Sequence, residues 1–247
     1  MALTELPITG LPAGGVTPRV VVCGDPARAE RIAELLDAPR LLSHKREYRA
    51  YSGEYESAPI TICSHGVGAP GAAIAFEERI AAGARAIVRV GTCGGLQPDV
   101  QPGHLIVATA AVQNTGYGRE TAPDGYPAAA DAGLTLGLER AVLSAGQPAR
   151  AGIVLSRDNF YAGVAAPAAP DYQTMAQARV LAVEMECAAL FLVGALRGVP
   201  TGAILVVDGN VLATGESFET YQPGRDVVRQ AVTVAARCAL EALKGWA

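Results

Sequence analysis

Short apolar runs alternate along this chain with segments of helical period. Arg19-Val20-Val21-Val22-Cys23 is almost continuously apolar, as expected for a strand buried on both faces. Pro26 suits the first turn of a helix with Asp25 as its cap, and Ile32, Leu35 and Leu36 carry that helix to about Leu36. Residues 41–65 read as strand material, with Tyr48 to Tyr55 loosely alternating and Ile60 to Cys63 a clean strand. An alanine-rich helix from Ala72 to Ala82 precedes the buried run Ala86-Ile87-Val88. Leu105–Val112, Ala151–Leu155, Leu181–Val183 and Ala203–Val207 are further strands. Helices are predicted over Asp131–Ala145, in a short piece capped by Asp171, over Cys187–Arg197 and over about Arg225–Lys244. Residues 1–17, the segment 114–130 and the Pro/Ala stretch 164–171 show no regular period and are expected to be irregular.

Strands and helices alternate with no linker-like break and no internal repeat. The expected fold is therefore one α/β domain over residues 1–247, a three-layer α/β/α sandwich around a mixed, largely parallel central sheet. Ligands in such sheets bind beyond the carboxyl ends of the strands. The polar candidates fall there. In Arg89-Val-Gly-Thr92-Cys93-Gly94-Gly95 a strand is expected to pass into a glycine-rich turn, an anion site if Arg89 points into it and a plain tight turn if it does not. Gly24 and Arg28 sit where a strand meets a helix start, which suits an anion, although a surface arginine would read the same way.

Glu184-Met185-Glu186 puts two carboxylates on either side of an apolar residue at a strand end. In extended geometry both acids face one way. They could hold a metal, act as acid and base, accept from a vicinal diol, or simply stabilise a helix start. Asp208 follows five apolar residues. Desolvation there would raise its pKa and permit proton donation, while Asp-Gly is also a common turn pair. Gly66-Val-Gly-Ala-Pro-Gly71 is a literal GxGxxG. It lacks the acidic residue about 20 positions on that a dinucleotide site needs, so a turn lining a shared pocket fits better. His44, His65 and His104 form no nucleophilic arrangement, and neither GxSxG nor a Walker A sequence occurs. Cys93 has the setting of an inert buried thiol.

Composition narrows the classes. Half of the 247 residues are hydrophobic and 18% are charged, with a net charge of −4. That supports a sizeable core and argues against a nucleic-acid binder. Five cysteines without a CxxC pair indicate neither a disulfide framework nor a zinc ribbon, and point to a reducing, cytoplasmic compartment. No signal peptide and no apolar run of roughly 20 residues is evident, so no membrane partner is expected.

Six stretches together resemble the nucleoside phosphorylase family of hexameric purine nucleoside phosphorylases and uridine phosphorylases. They are GDPARAERI (24–32), HKREY (44–48), SHGVGAPG (64–71), RVGTCGGLQPD (89–99), VEMECAAL (183–190) and LVVDGN (205–210). They look most like the parasite-type purine enzymes. The resemblance implies cleavage of nucleosides by inorganic phosphate, a co-substrate, with no other cofactor and no metal. It implies phosphate binding by Gly24, Arg28, Arg89 and Thr92, with Arg46 reaching the site of a neighbouring subunit in a homo-oligomer, a hexamer built as a trimer of dimers. Glu184, Met185 and Glu186 would hold the ribose. Cys93, Gly94, Phe160, Val183 and Asp208 would surround the base, with Asp208 protonating a purine and Arg89 acting on the phosphate. Two departures stand out. Uridine phosphorylases carry a Gln and an Arg a few residues after the Phe, where this chain has Gly163-Val164-Ala165-Ala166. The family's N-terminal histidine at the ribose 5′-hydroxyl is also missing, with Ile8 or Thr9 near its position. Uridine phosphorylase and a methylthioadenosine-type nucleosidase or phosphorylase are the alternatives.

Overall fold

A computed structural model describes residues 4–161, 163–164, 166–167, 169–214, 221 and 224–246. In chain order the elements are β1 (Arg19–Cys23), α1 (Pro26–Ala33), β2 (Asp37–Lys45), β3 (Tyr48–Tyr55), β4 (Ala58–Ser64), α2 (Ala69–Ala81), β5 (Ala86–Gly95), β6 (Leu105–Asn114) and α3 (Gly116–Thr121). There follow β7 (Ala128–Ala129), α4 (Ala132–Ala145), β8 (Ala149–Arg157), α5 (Tyr172–Gln177), β9 (Ala182–Glu184), α6 (Cys187–Arg197), β10 (Thr201–Asn210), α7 (Val211–Thr214) and α8 (Asp226–Lys244).

The strands form one mixed sheet. β1 lies between β4 and β5 and is parallel to both, which is why Val20 to Cys23 are all fully buried. β10 pairs with β5 on one side and β6 on the other. β6 then runs to β8, β8 to β9, and β9 back to β5. Five strands thus close on themselves, while β1, β4, β3 and β2 extend outward as an open wing. One apolar core includes side chains of α2 and α6, and a second includes side chains of α1, α4 and α8. The result is a sheet with helices on both faces, as the alternating pattern implies.

Helix ends follow their caps. Asp25 accepts from the amides of Ala27 and Arg28 at 2.8 and 3.1 Å, and Asp131 accepts from Leu134 at 2.9 Å. α1 stops at Ala33, short of the predicted Leu36. The segment 114–130, expected to be irregular, holds α3, capped by Thr115, and β7, which pairs with β6. A six-residue helix with two glycines has no room for an apolar stripe, so periodicity misses it.

The larger correction concerns the stretch after Arg89. It is no turn. β5 continues to Gly95 because β10 pairs with it as far as Gly95 and β9 adds at Gly94 and Gly95. Gly91, Gly94 and Gly95 are not among the glycines with positive φ. They are there for space, as a Cβ on Gly94 would stand 2.7 Å from Val211 Cγ1 and one on Gly95 2.9 Å from Val100. The final strand also overruns its prediction, to Asn210, with a register shift between Val207 and Gly209. That bulge at Asp208 stands where the alternative reading would have put an Asp-Gly turn.

α6 packs against β10 through Gly194, whose added Cβ would meet Thr201 Cγ2 at 2.5 Å and the Val199 carbonyl at 2.7 Å. Alanine gains about 1 kcal/mol of helix propensity over glycine, but a backbone carbonyl cannot step aside. Gly194→Ala is expected to lose about 1–3 kcal/mol of stability, read from the urea midpoint at unchanged m-value.

Candidate functional site

The carboxyl ends of β1, β4, β5, β8, β9 and β10 surround a cavity of about 630 Å³. Every candidate residue but one lines it: Gly24, Arg28, Arg89, Thr92, Cys93, Gly94, Phe160, Val183, Glu184, Met185, Glu186 and Asp208. The exception is Arg46, exposed in the turn between β2 and β3 at φ 57°.

Arg89 is the hub. Its side chain is 4% exposed, and its Nη2 lies 2.5 Å from Glu186 Oε2 and 3.3 Å from Glu184 Oε2. Burial alone would lower its pKa, but Glu186 and Glu184 outweigh that and hold it raised, so Arg89 stays cationic. The guanidinium lies flat on Gly91, where an added Cβ would stand 2.6–2.7 Å from Cζ, Nη1 and Nη2.

The two glutamates differ. Glu184 accepts from Ser156 Oγ, from the amides of Glu186 and Cys187 at 2.8 and 2.9 Å, and from Arg89. Its oxygens are occupied, so it ties α6 and Arg89 together. Glu186 accepts one amide, from Gly68 at 2.7 Å, besides Arg89. Its spare lone pairs face the cavity and suit a diol. Met185, expected to face away from the acids, lines the same cavity, because Glu186 leaves extended geometry (φ −138°, ψ −15°) to start α6.

Arg28 is the other cation. Burial pushes its pKa down, and its Nε is buried with no hydrogen-bond partner. A guanidinium at the cavity edge with no carboxylate bonded to it among the described residues suits an anion. The helix start contributes less than expected, since Asp25 already takes the amides of Ala27 and Arg28.

At another part of the wall Asp208 is 6% exposed, and burial raises its pKa to about 6. Tyr221 donates to its Oδ2 at 3.2 Å, and Arg225 donates to its backbone carbonyl. Phe160 stands edge-on to Tyr161 and Tyr221, with centroids 5.0 and 5.1 Å apart. Burial pushes the Cys93 thiol well up, which leaves it a wall residue. The arrangement is a cation end, a carboxylate suited to a diol, and an aromatic end with a carboxylic acid. Among the described residues no group of three or more His, Cys, Asp or Glu is placed to hold a metal, and no helix is long and apolar enough to cross a membrane.

Known proteins resemble this arrangement over most of the chain. The profile of the phosphorylase superfamily matches residues 18–244. A uridine phosphorylase of Treponema pallidum is 38% identical over 86% of this chain and 85% of its own. A purine nucleoside phosphorylase of Plasmodium falciparum is 36% identical over 78% of this chain and 79% of its own. The solved purine nucleoside phosphorylase of Toxoplasma gondii in complex with immucillin-H superposes with a TM-score of 0.91 at 32% identity, covering 98% of this chain and 96% of that one.

Sequence reasoning passed over three contributors. Tyr221 and Arg225 lie 13 and 17 residues beyond Asp208, where no motif marks them. His65 has no nucleophile beside it, so no catalytic pattern marks it in the sequence. The SHGVG stretch was its only signal. Gly91→Ala should push the guanidinium off its carboxylates and weaken binding of inorganic phosphate by about 10- to 100-fold. Calorimetric titration checks this, and unchanged affinity would remove Arg89 from the anion site.

Proposed function

This chain belongs to the phosphorylase superfamily as a nucleoside phosphorylase, and we propose that its preferred nucleosides are purines. It cleaves a nucleoside with inorganic phosphate, releasing the free base and the sugar 1-phosphate. The observation that carries the purine reading is Asp208, a buried carboxyl raised to about 6 beside the aromatic end of the cavity. A purine leaving group has a ring nitrogen that such an acid can protonate, and uracil does not.

In the proposed mechanism Arg28 and Arg89 hold the phosphate with Thr92 and the Gly24 backbone. Glu186 accepts from the ribose hydroxyls, and Phe160 packs on the base beside Val183, Cys93 and Gly94. A phosphate oxygen attacks the anomeric carbon as the bond to the base breaks. The bonding pair leaves with the base, and Asp208 supplies a proton to the imidazole ring. Glu184, already saturated, holds Glu186 and Arg89 in place. No cofactor besides phosphate enters this scheme. The amide of Gly68 in the GxGxxG stretch serves Glu186, which supports a pocket-lining role over a dinucleotide site.

Arg46 completes the phosphate end in a second copy of this chain. Its exposed turn supports that role, since Arg46 stays off the lining of its own cavity while the adjacent Glu47 is on it, as does the 78% exposure of Val67 at the cavity's edge. The uracil-reading positions fall in 163–166, where 165 lies outside the described residues, but Gly163-Val164-Ala165-Ala166 offers no amide or guanidinium side chain. Near the N-terminus, Ile8 and Thr9 are held to Glu78 through their amides at 3.0 and 2.7 Å. With no histidine before His44, 5′-deoxy and 5′-methylthio nucleosides should be accepted.

A panel of inosine, guanosine, adenosine, uridine and methylthioadenosine, with and without phosphate, tests the reading. Purines are expected to turn over only with phosphate, and uridine at least about tenfold less efficiently. Uridine as the best substrate would overturn the purine assignment, and base release without phosphate would indicate a hydrolase.

The acid has its own test. Below about pH 6 Asp208 holds its proton, so kcat/KM for purines should fall as pH rises through that value. Asp208→Asn should remove this limb and cost about 10²-fold or more in kcat/KM. A variant that keeps full purine activity would clear Asp208 of the role.

A further inference from the structure

His65 follows the last residue of β4 and is wholly buried. Its backbone amide donates to the Cys23 carbonyl at 2.8 Å, and the next amide, of Gly66, donates to Gly24 at 3.0 Å. The imidazole is therefore fixed by the end of β1. Its edge packs on Phe76 at 5.3 Å between centroids, with 68° between the planes. Its Nε2 lies 3.3 Å from Nη1 of Arg89.

We propose that His65 is a positioning residue for Arg89. The lone pair on Nε2 accepts a hydrogen from Nη1 and thereby selects which guanidinium hydrogens remain for phosphate. The proposal rests on the reading that Arg89 binds phosphate.

The chemistry allows one tautomer. An arginine only donates, so Nε2 must be unprotonated and Nδ1 must carry the hydrogen. Two buried guanidiniums stand near the ring, that of Arg89 and that of Arg79, which is 1% exposed and donates to the Ser64 carbonyl. Burial first, then Arg89 and Arg79, push His65 well below the ordinary 6.5, so the ring stays neutral. Nδ1 is buried with no well-formed hydrogen bond, the Gly66 backbone offering it only a partial partner. A phenylalanine would fill this place beside Phe76 without that cost, so packing alone does not account for a histidine here.

Geometry supplies the rest. Gly91 blocks one face of the guanidinium, and Glu186 and Glu184 grip Nη2. Rotation in the plane is still open with Nη2 held alone. The contact at Nη1 closes it, leaving the second hydrogen of Nη1 available to an anion.

Steady-state kinetics on His65→Phe, His65→Gln and Arg89→Gln test the proposal. His65→Phe should raise KM for phosphate about tenfold, the loss of one hydrogen bond to a charged group, with KM for the nucleoside changed less than about twofold. His65→Gln, whose amide oxygen can accept from Nη1, should recover phosphate KM to within about threefold. A His65→Phe variant with unchanged phosphate KM, or parallel losses in both KM values in both variants, would overturn the proposal. If Arg89→Gln leaves phosphate KM unaltered, the phosphate role of Arg89 fails first and the proposal falls with it. The wild-type protein provides a check independent of folding. Its ¹⁵N shifts at neutral pH should show His65 protonated on Nδ1 alone, and a proton on Nε2 would overturn the assignment.

Discussion

A cation buried in the middle of a sheet must be compensated, and Arg89 on β5 sets that requirement for the rest of the site. Removing an ion from water costs several kcal/mol after relaxation, so its surroundings have to return that through contacts. They do so with two carboxylates, a neutral imidazole and the open face of Gly91. The three polar partners of Arg89 come from three different elements. His65 follows β4, Glu184 ends β9 and Glu186 starts α6. Satisfying one charge therefore fixes the relative positions of three elements.

The same constraint explains how α6 begins. Its first amides need acceptors, yet Glu186 at the cap position makes no side-chain capping bond. Glu184 takes the amides of Glu186 and Cys187, and Ser156 Oγ takes that of Ala188 while donating to Glu184. The helix start, the buried arginine and the wall of the cavity are one hydrogen-bonded network. Such a network is high-stakes when buried, and here Glu184 and Ser156 have no unmet side-chain group among the buried unpartnered atoms. Arg28 is the contrast. Among the described residues no carboxylate pairs with it, Asp25 acting on it only at longer range, and its Nε, like that of Arg89, is buried without a partner, so an incoming anion meets one guanidinium held by carboxylates and another that is not.

Much of this was legible in the sequence because strand ends in a parallel-rich sheet collect polar residues at predictable places. Apolar runs located the strands, and Asp25, Asp131 and Asp171 marked helix starts that the structure retains. What was not legible has a common physical cause. A glycine in sequence is a residue without a side chain, and that absence serves either positive φ or close approach. RVGTCGG looked like a turn on the first ground and is a strand on the second. The atoms that need the space, on Val100, Val183 and Val211, come from elsewhere in the chain. The closure of β10 onto β5 and the bulge at Asp208 are also long-range facts, with no local signature. His65 was invisible for another reason: its partner is an arginine 24 residues away, and no catalytic spacing links the two.

The two ends of the cavity are built differently, and this bears on how one frame can suit different bases. Arg89, Thr92 and Glu184 sit within strands and Arg28 within a capped helix, so the cation end of the cavity inherits the rigidity of the sheet. Phe160 and Tyr221 lie beyond strand ends, where backbone pairing no longer sets their positions. Geometry required for bond cleavage at the anomeric carbon is common to every nucleoside, whereas the shape of the base is not. Placing the first on paired strands and the second on connecting segments lets base preference vary without disturbing Arg89. Relatives named for uridine and for purine nucleosides match this chain at 38% and 36% identity, so the family as a whole does not set the base. Under the proposed reading, Asp208 and the residues around Phe160, where backbone pairing gives way to connecting segments, are where that choice is made.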